Sequence, residues 1–356
     1  MSENAIYDIL AQLEKAIHEM ETLSADDEAT TWGRNLETQA DLYWQLYNVR
    51  GERKHLEQSI AAFEIAATYY QDAAQVHFAA IQCRLQDIYV DMARLQQATT
   101  YMYKARDAGL QAQKFYVHTH NETRDIHFEL LARQTQIMTA LALLEGYAPY
   151  GDEALHIAKK IIKETHHDAD LLGFHIEGHR VLGKAYVGIA KMMNMVEQRE
   201  ALLEATRILG KLRRFTHQSQ GNESMLRGLL LMGFTYIELE LIENNPDYLP
   251  PAVRSFQQAL TVNKTVGDSL AAAIAFYTVS MLYERMNKAQ QAAEAAQHAA
   301  DCYQRSGMLW MAQIAALRAR YFAQATLVRM LLSPLLMMLT VPVNLHRRNI
   351  LPRVLK

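Results

Sequence analysis

Proline and glycine are scarce in this chain, 7 and 15 among 356 residues. Proline removes a helix hydrogen bond and glycine weakens a helix, so the chain has few built-in breaks. Ala, Leu, Gln, Glu and Met are abundant, and no alternating pattern of the kind a half-buried strand needs stands out. Cysteine is nearly absent. Cys83 and Cys302 lie far apart without metal-type spacing, which excludes a disulfide framework and fits a reducing, cytoplasmic compartment. The first thirty residues hold eight acids against the single base Lys15, so a secretory signal is not expected. Glycine-rich phosphate loops, nucleophile elbows and kinase signatures are also missing, and no enzyme is expected, with no catalytic residue, cofactor or metal assigned.

One absence is local. No acidic residue follows Asp301, whereas Arg305, Arg318, Arg320, Arg329, Arg347, Arg348, Arg353 and Lys356 do. That segment carries +8, and the overall −3 leaves −11 for residues 1–301. Such a split points to an anionic partner, an anionic membrane surface, or contact between acidic and basic ends of two copies. Nucleic acid is not expected, because these basic residues are not interleaved with aromatics and follow no binding motif.

What is present is a recurring helix-pair pattern. It is clearest from Ser269 to Gly307, where Phe276, Val279 and Tyr283 are followed by Ala292, Ala296 and Ala299. Tyr89 with Ala98, Met102 and Ala105 repeats the spacing, and a second match, Gly183 with Tyr186, recurs fifty residues later as Gly233 with Tyr236. Glycine and tyrosine three apart let a partner helix approach while the ring fills the layer above. The spacing predicts an opening helix from Asn4 to Met20, then six pairs. Gly51 marks the first turn, and Gly109 is expected to end the second pair. In the third pair Gly146, Pro149 and Gly151 are expected to form a loose connection. In the fifth, Asn244 to Pro251 should extend a loop before Ala252, Phe256 and Ala259 resume the pattern.

On these residues, over roughly 30–332, the chain resembles the tetratricopeptide repeat family. Steps of 39 from Ser59 to Ala98 and 40 from Ala252 to Ala292 exceed the family's usual 34, implying longer helices. The tryptophan usual in the first helix is absent, and the closing proline mostly is too. The resemblance implies an all-α, right-handed α-solenoid of helix pairs with capping helices. It also implies a non-enzymatic scaffold, adaptor or assembly factor whose first helices line a concave groove for a partner's peptide or helix. The expected divisions are a capping helix in 1–29, the array in 30–306, a second capping helix in 307–332 and an apolar, basic tail in 333–356.

Three places bear on function. If Gly183 and Gly233 are equivalent, Arg180, Lys184 and Arg227 face the groove as a basic cluster able to hold a carboxylate or acidic peptide. Five of the fourteen histidines fall between His156 and His179, and His175 with His179 are one helical turn apart. That spacing leaves a helical-bundle metal-binding enzyme as the rival from another class, with interhelix hydrogen bonding the plainer role. The tail presents Leu335, Leu336, Met338 and Leu339 before Arg347 and Arg348. Pro334 and Pro342 interrupt it, so it is expected to pack on protein, including a second copy, or to lie at the inner face of an anionic membrane rather than span it.

Overall fold

The computed structural model describes residues 3–23, 28–71, 74–116, 123–166, 168–215 and 222–323, and every regular element among them is helical. Fourteen α-helices follow in order: α1 Glu3–Glu21, α2 Ala29–Arg50, α3 Arg53–Tyr70, α4 Gln75–Gln96, α5 Thr99–Tyr116, α6 Arg124–Glu145 and α7 Ala148–Thr165. The remainder are α8 Leu172–Ala190, α9 Met195–Gly210, α10 Glu223–Glu243, α11 Leu249–Val266, α12 Ser269–Arg285, α13 Ala289–Arg305 and α14 Leu309–Ala323. Two compact units divide the chain, residues 1–161 and 162–356, with the division inside α7.

The turns follow from local chemistry. Gly51 and Gly267 take left-handed backbone at φ 69° and 80°, where a side chain would be strained, and each amide caps the preceding helix. Asp268 then starts α12 by accepting from the amides of Leu270 and Ala271 at 2.9 Å, and Asn194 and Asn222 cap α9 and α10 likewise.

Two expected loops are tighter than the composition implies. Pro149 and Gly151 lie inside the first turn of α7, so only Gly146 and Tyr147 separate it from α6. Pro250 and Pro251 open α11, and Pro246 opens a short 3-10 turn before it. Proline at a helix start loses no hydrogen bond, because those amides have no partner within the helix. The expected end at Gly109 is also corrected: α5 continues to Tyr116, and Gly109 is a buried packing position within it.

In the first unit α1 to α6 pack each on the next. Phe63, Tyr70, Leu46, Leu56, Ile81, Ile88 and Met92 are fully enclosed. The buried amides of Gln86 and Gln134 meet above Gly109, where an added Cβ would fall 2.0 Å from Gln86 Nε2. In the second unit α8 to α14 pack in the same sequential way around one large aliphatic core centred on Leu229, Leu230, Met232, Phe256 and Ala273.

The small residues sit where the repeat pattern requires them. Ala292, Ala296 and Ala299 are fully buried, and so are Ala252, Phe256 and Ala259. A Cβ on Gly183 would lie 2.6 Å from the Leu209 side chain, and one on Gly233 would lie 2.7 Å from the Phe256 ring. These glycines admit the second helix of their pair at close range. Ser59 donates to the Ala40 carbonyl at 2.8 Å and Ser280 to that of Ala292 at 2.9 Å, so pairs near both ends of the described chain cross close enough for side chain to reach backbone.

Candidate functional site

Arginine–carboxylate pairs join alternate helices in both units. In the first unit Arg84 of α4 reaches back to Asp41 of α2 at 3.9 Å, and Arg133 of α6 reaches back to Asp87 of α4 at 3.2 Å. Arg84 also lies over the Trp44 ring, 5.7 Å from its centroid. Burial pushes the Asp41 and Asp87 carboxyls up, and the facing arginines only partly oppose it.

In the second unit Arg285 of α12 grips Glu240 of α10 through both guanidinium nitrogens, and Arg318 of α14 reaches Glu284 of α12. Arg318 Nε also donates to Ser280 Oγ at 3.1 Å. Glu240 and Arg318 are each only 3 % exposed, so each bridge here has one enclosed member. Sequence reading named only Arg318, as part of the basic C-terminal segment, and the structure instead pairs it internally with Glu284. The partners in these bridges lie about one helix pair apart along the chain, and the signal was the recurrence of an acid on one first helix with an arginine on the next.

The predicted groove residues come together at the α8–α10 contact. Arg180 is 3 % exposed, and its Nε donates to Glu177 Oε2 at 2.6 Å. Burial alone would raise the Glu177 carboxyl, yet Arg180, a hydrogen bond from Ser224 of α10, and Lys184 together hold it below the ordinary range. Glu223 lies within electrostatic reach of Arg180 and pairs with Arg227. Arg180 is thus enclosed in an ion pair within α8, with Ser224 of α10 bonded to its Glu177 partner, while Lys184 and Arg227 are half-buried at its edge.

The histidines form a separate cluster in the second unit. His175 Nδ1 lies 3.1 Å from Thr165 Oγ1, and His179 Nδ1 donates to the His175 carbonyl at 3.0 Å. Their ring centroids are 4.6 Å apart, with His166 and Phe215 packed edge-on against His175 at 5.6 and 5.5 Å. Burial pushes both imidazoles down, His179 to about 4, and nearby His166 and Lys211 add to the effect. Nδ1 of each ring is thereby committed to protein. Among the described residues no group of three or more His, Cys, Asp or Glu is placed to hold a metal ion. Burial also raises the Cys83 thiol to about 11, which keeps it unreactive at neutral pH.

The tail residues Leu335, Leu336, Met338, Leu339, Arg347 and Arg348 lie outside the described residues. No helix among those described is long and apolar enough to cross a membrane.

No family model matches this sequence, and no curated protein does. Solved structures similar in helix course include the apo form of RapI, at 12 % identity and a TM-score of 0.40, over 80 % of this chain and 97 % of that one. Another is a thermophilic TPR protein of Thermus thermophilus, at 16 % identity and a TM-score of 0.41, over 66 % of this chain and 98 % of that one. The tetratricopeptide-like character of this chain rests on its own helix pairs and on the alanine and glycine positions that let them close.

Proposed function

We propose that this chain is a protein-interaction scaffold without enzymatic activity. It receives a partner's peptide or helix on the faces of its first helices, and Lys184 and Arg227 hold carboxylates of that partner. The observation that carries the reading is the α8–α10 cluster, where two half-buried cations flank the enclosed Arg180 and its partner Glu177. Arg227 pairs with a Glu223 whose side chain is more than half exposed, and pairs of that kind contribute about 0–1 kcal/mol. Exchanging Glu223 for a ligand carboxylate therefore costs little. Arg180 serves as the rigid support and does not itself turn outward. Segment 333–356 acts as a second contact, through its apolar and basic side chains.

The test is capture of partners from extract of the source organism on the immobilised full chain. A Lys184→Glu, Arg227→Glu variant with unchanged helical content is expected to lose the partner held by the full chain. Retention of the same partner by that variant refutes the reading. Loss confined to a chain lacking residues 333–356 would move the contact to the tail.

A further inference from the structure

The turn from α6 into α7 is an exposed run from Leu143 to Pro149. Leu143, Leu144 and Tyr147 are 40, 51 and 51 % exposed, an unusual grouping for a surface turn. The rings beside it are fixed in place. Tyr147 packs edge-on against Tyr150 at 4.9 Å, and Tyr150 against Tyr103 of α5 at 6.3 Å. Tyr103 O–H donates to Glu145 at 2.6 Å and lies 3.1 Å from the Tyr150 hydroxyl. Arg106 lies over the Tyr103 ring at 5.2 Å while pairing with Asp107 at 2.8 Å, and exposed Leu110 follows one helical turn later.

Tyrosines already held in one arrangement lose little freedom on binding, and aromatic anchors of this sort dominate protein interfaces. The charge around them is acidic. Asp107, Glu145 and Glu153 stand with the guanidinium of Arg106, and Glu153 is close enough to act on it. The complementary ligand is a segment that is apolar, basic and free of acids. Residues 333–356 of this chain fit: Leu335, Leu336, Met338 and Leu339 supply apolar contacts, and Arg347, Arg348, Arg353 and Lys356 supply charge with no carboxylate side chain among them.

We propose that this tyrosine and leucine patch receives segment 333–356 of a second copy of the chain. The proposal rests on that segment being a contact element, as proposed above, and does not depend on the Lys184 and Arg227 cluster.

The experiment places the photoreactive residue p-benzoylphenylalanine at Tyr147 of the full chain and mixes it with full chain grown on heavy nitrogen. Illumination is expected to join position 147 to heavy peptides from 333–356. The yield should fall about tenfold when the heavy chain lacks that segment, and similarly when the light chain carries Leu143→Glu and Leu144→Glu. It should also fall as salt rises from about 0.05 to 0.5 M, because exposed charges are then screened. Cross-links only within the light chain, to other heavy segments, or none in a protein of undiminished helical content overturn the proposal. So does a chain that floats with phosphatidylglycerol vesicles through 333–356 and gives no cross-link, which assigns the segment to lipid. Capture of a foreign partner through Lys184 and Arg227 would persist in every one of these cases, so failure here leaves that reading standing.

Discussion

The two units use the same device at different depths. Each ties successive first helices with arginine–carboxylate bridges, but Arg84–Asp41 and Arg133–Asp87 have both members partly in solvent, whereas Arg285–Glu240 and Arg318–Glu284 each enclose one. Water screens the first kind and leaves it nearly neutral in free energy. The second kind leaves a charge stranded if its partner is removed. The same chemistry therefore serves as a replaceable surface feature in one unit and as a structural requirement in the other.

Removing Arg285 tests this difference most severely. Arg285→Ala is expected to destabilise the second unit by about 3–5 kcal/mol, because Glu240 remains enclosed without its partner. Hydrogen exchange in α10 and α12 should rise steeply while α2 and α4 keep their protection. Adding Glu240→Leu should recover most of the loss, and a double variant as unstable as the single one would show that the ion pair was not the cause.

Acid comes next in size and also selects the second unit. The pKa of His179 falls from its ordinary 6.5 to about 4 on folding, and His175 shifts the same way. The unfolded chain therefore binds more protons between these values, so stability is full above pH 6.5 and declines as pH falls toward 4. For His179 the loss approaches about 3 kcal/mol at the lower limit. Urea unfolding of the wild type and of His179→Gln across that window measures it, and equal pH slopes for the two would remove His179 from the account.

The smallest effect belongs to the first unit. Arg84→Ala should cost less than about 1 kcal/mol, since Asp41 regains water when the half-exposed bridge is lost. A loss comparable with that from Arg285→Ala would erase the distinction between the units.

Much of the helix pairing was legible in the sequence, because it depends on neighbours three and four residues apart. Gly183, Gly233, Ala252, Ala259 and Ala292 announced close helix approaches, and the structure places side chains of the paired helices against the two glycines and buries the three alanines completely. The prolines misled, because Pro149, Pro250 and Pro251 read as loop residues until their place at a helix start is known. Gly109 misled for a related reason: a glycine that makes room for the Gln86 and Gln134 amides looks the same in sequence as one that ends a helix. For the candidate site, Arg180, Lys184 and Arg227 were found by aligning two glycines, yet the burial of Arg180 depends on Glu177 and on α10. The interhelical bridges stayed hidden because a residue's charge says nothing of which distant residue meets it.

The backward reach of these bridges has a consequence for synthesis. Glu240 is enclosed, and the guanidinium that compensates it lies 45 residues further along the chain. At roughly 5–20 residues per second, a ribosome needs about 2–9 s to make that stretch, plus the time for it to clear the exit tunnel. Until then α10 carries an unmatched carboxylate, whereas in the other bridge the enclosed member is Arg318, made 34 residues after its exposed partner Glu284. Helix α10 thus depends on α12 to settle, and a chain stalled between them presents an unfinished, charged edge to its surroundings.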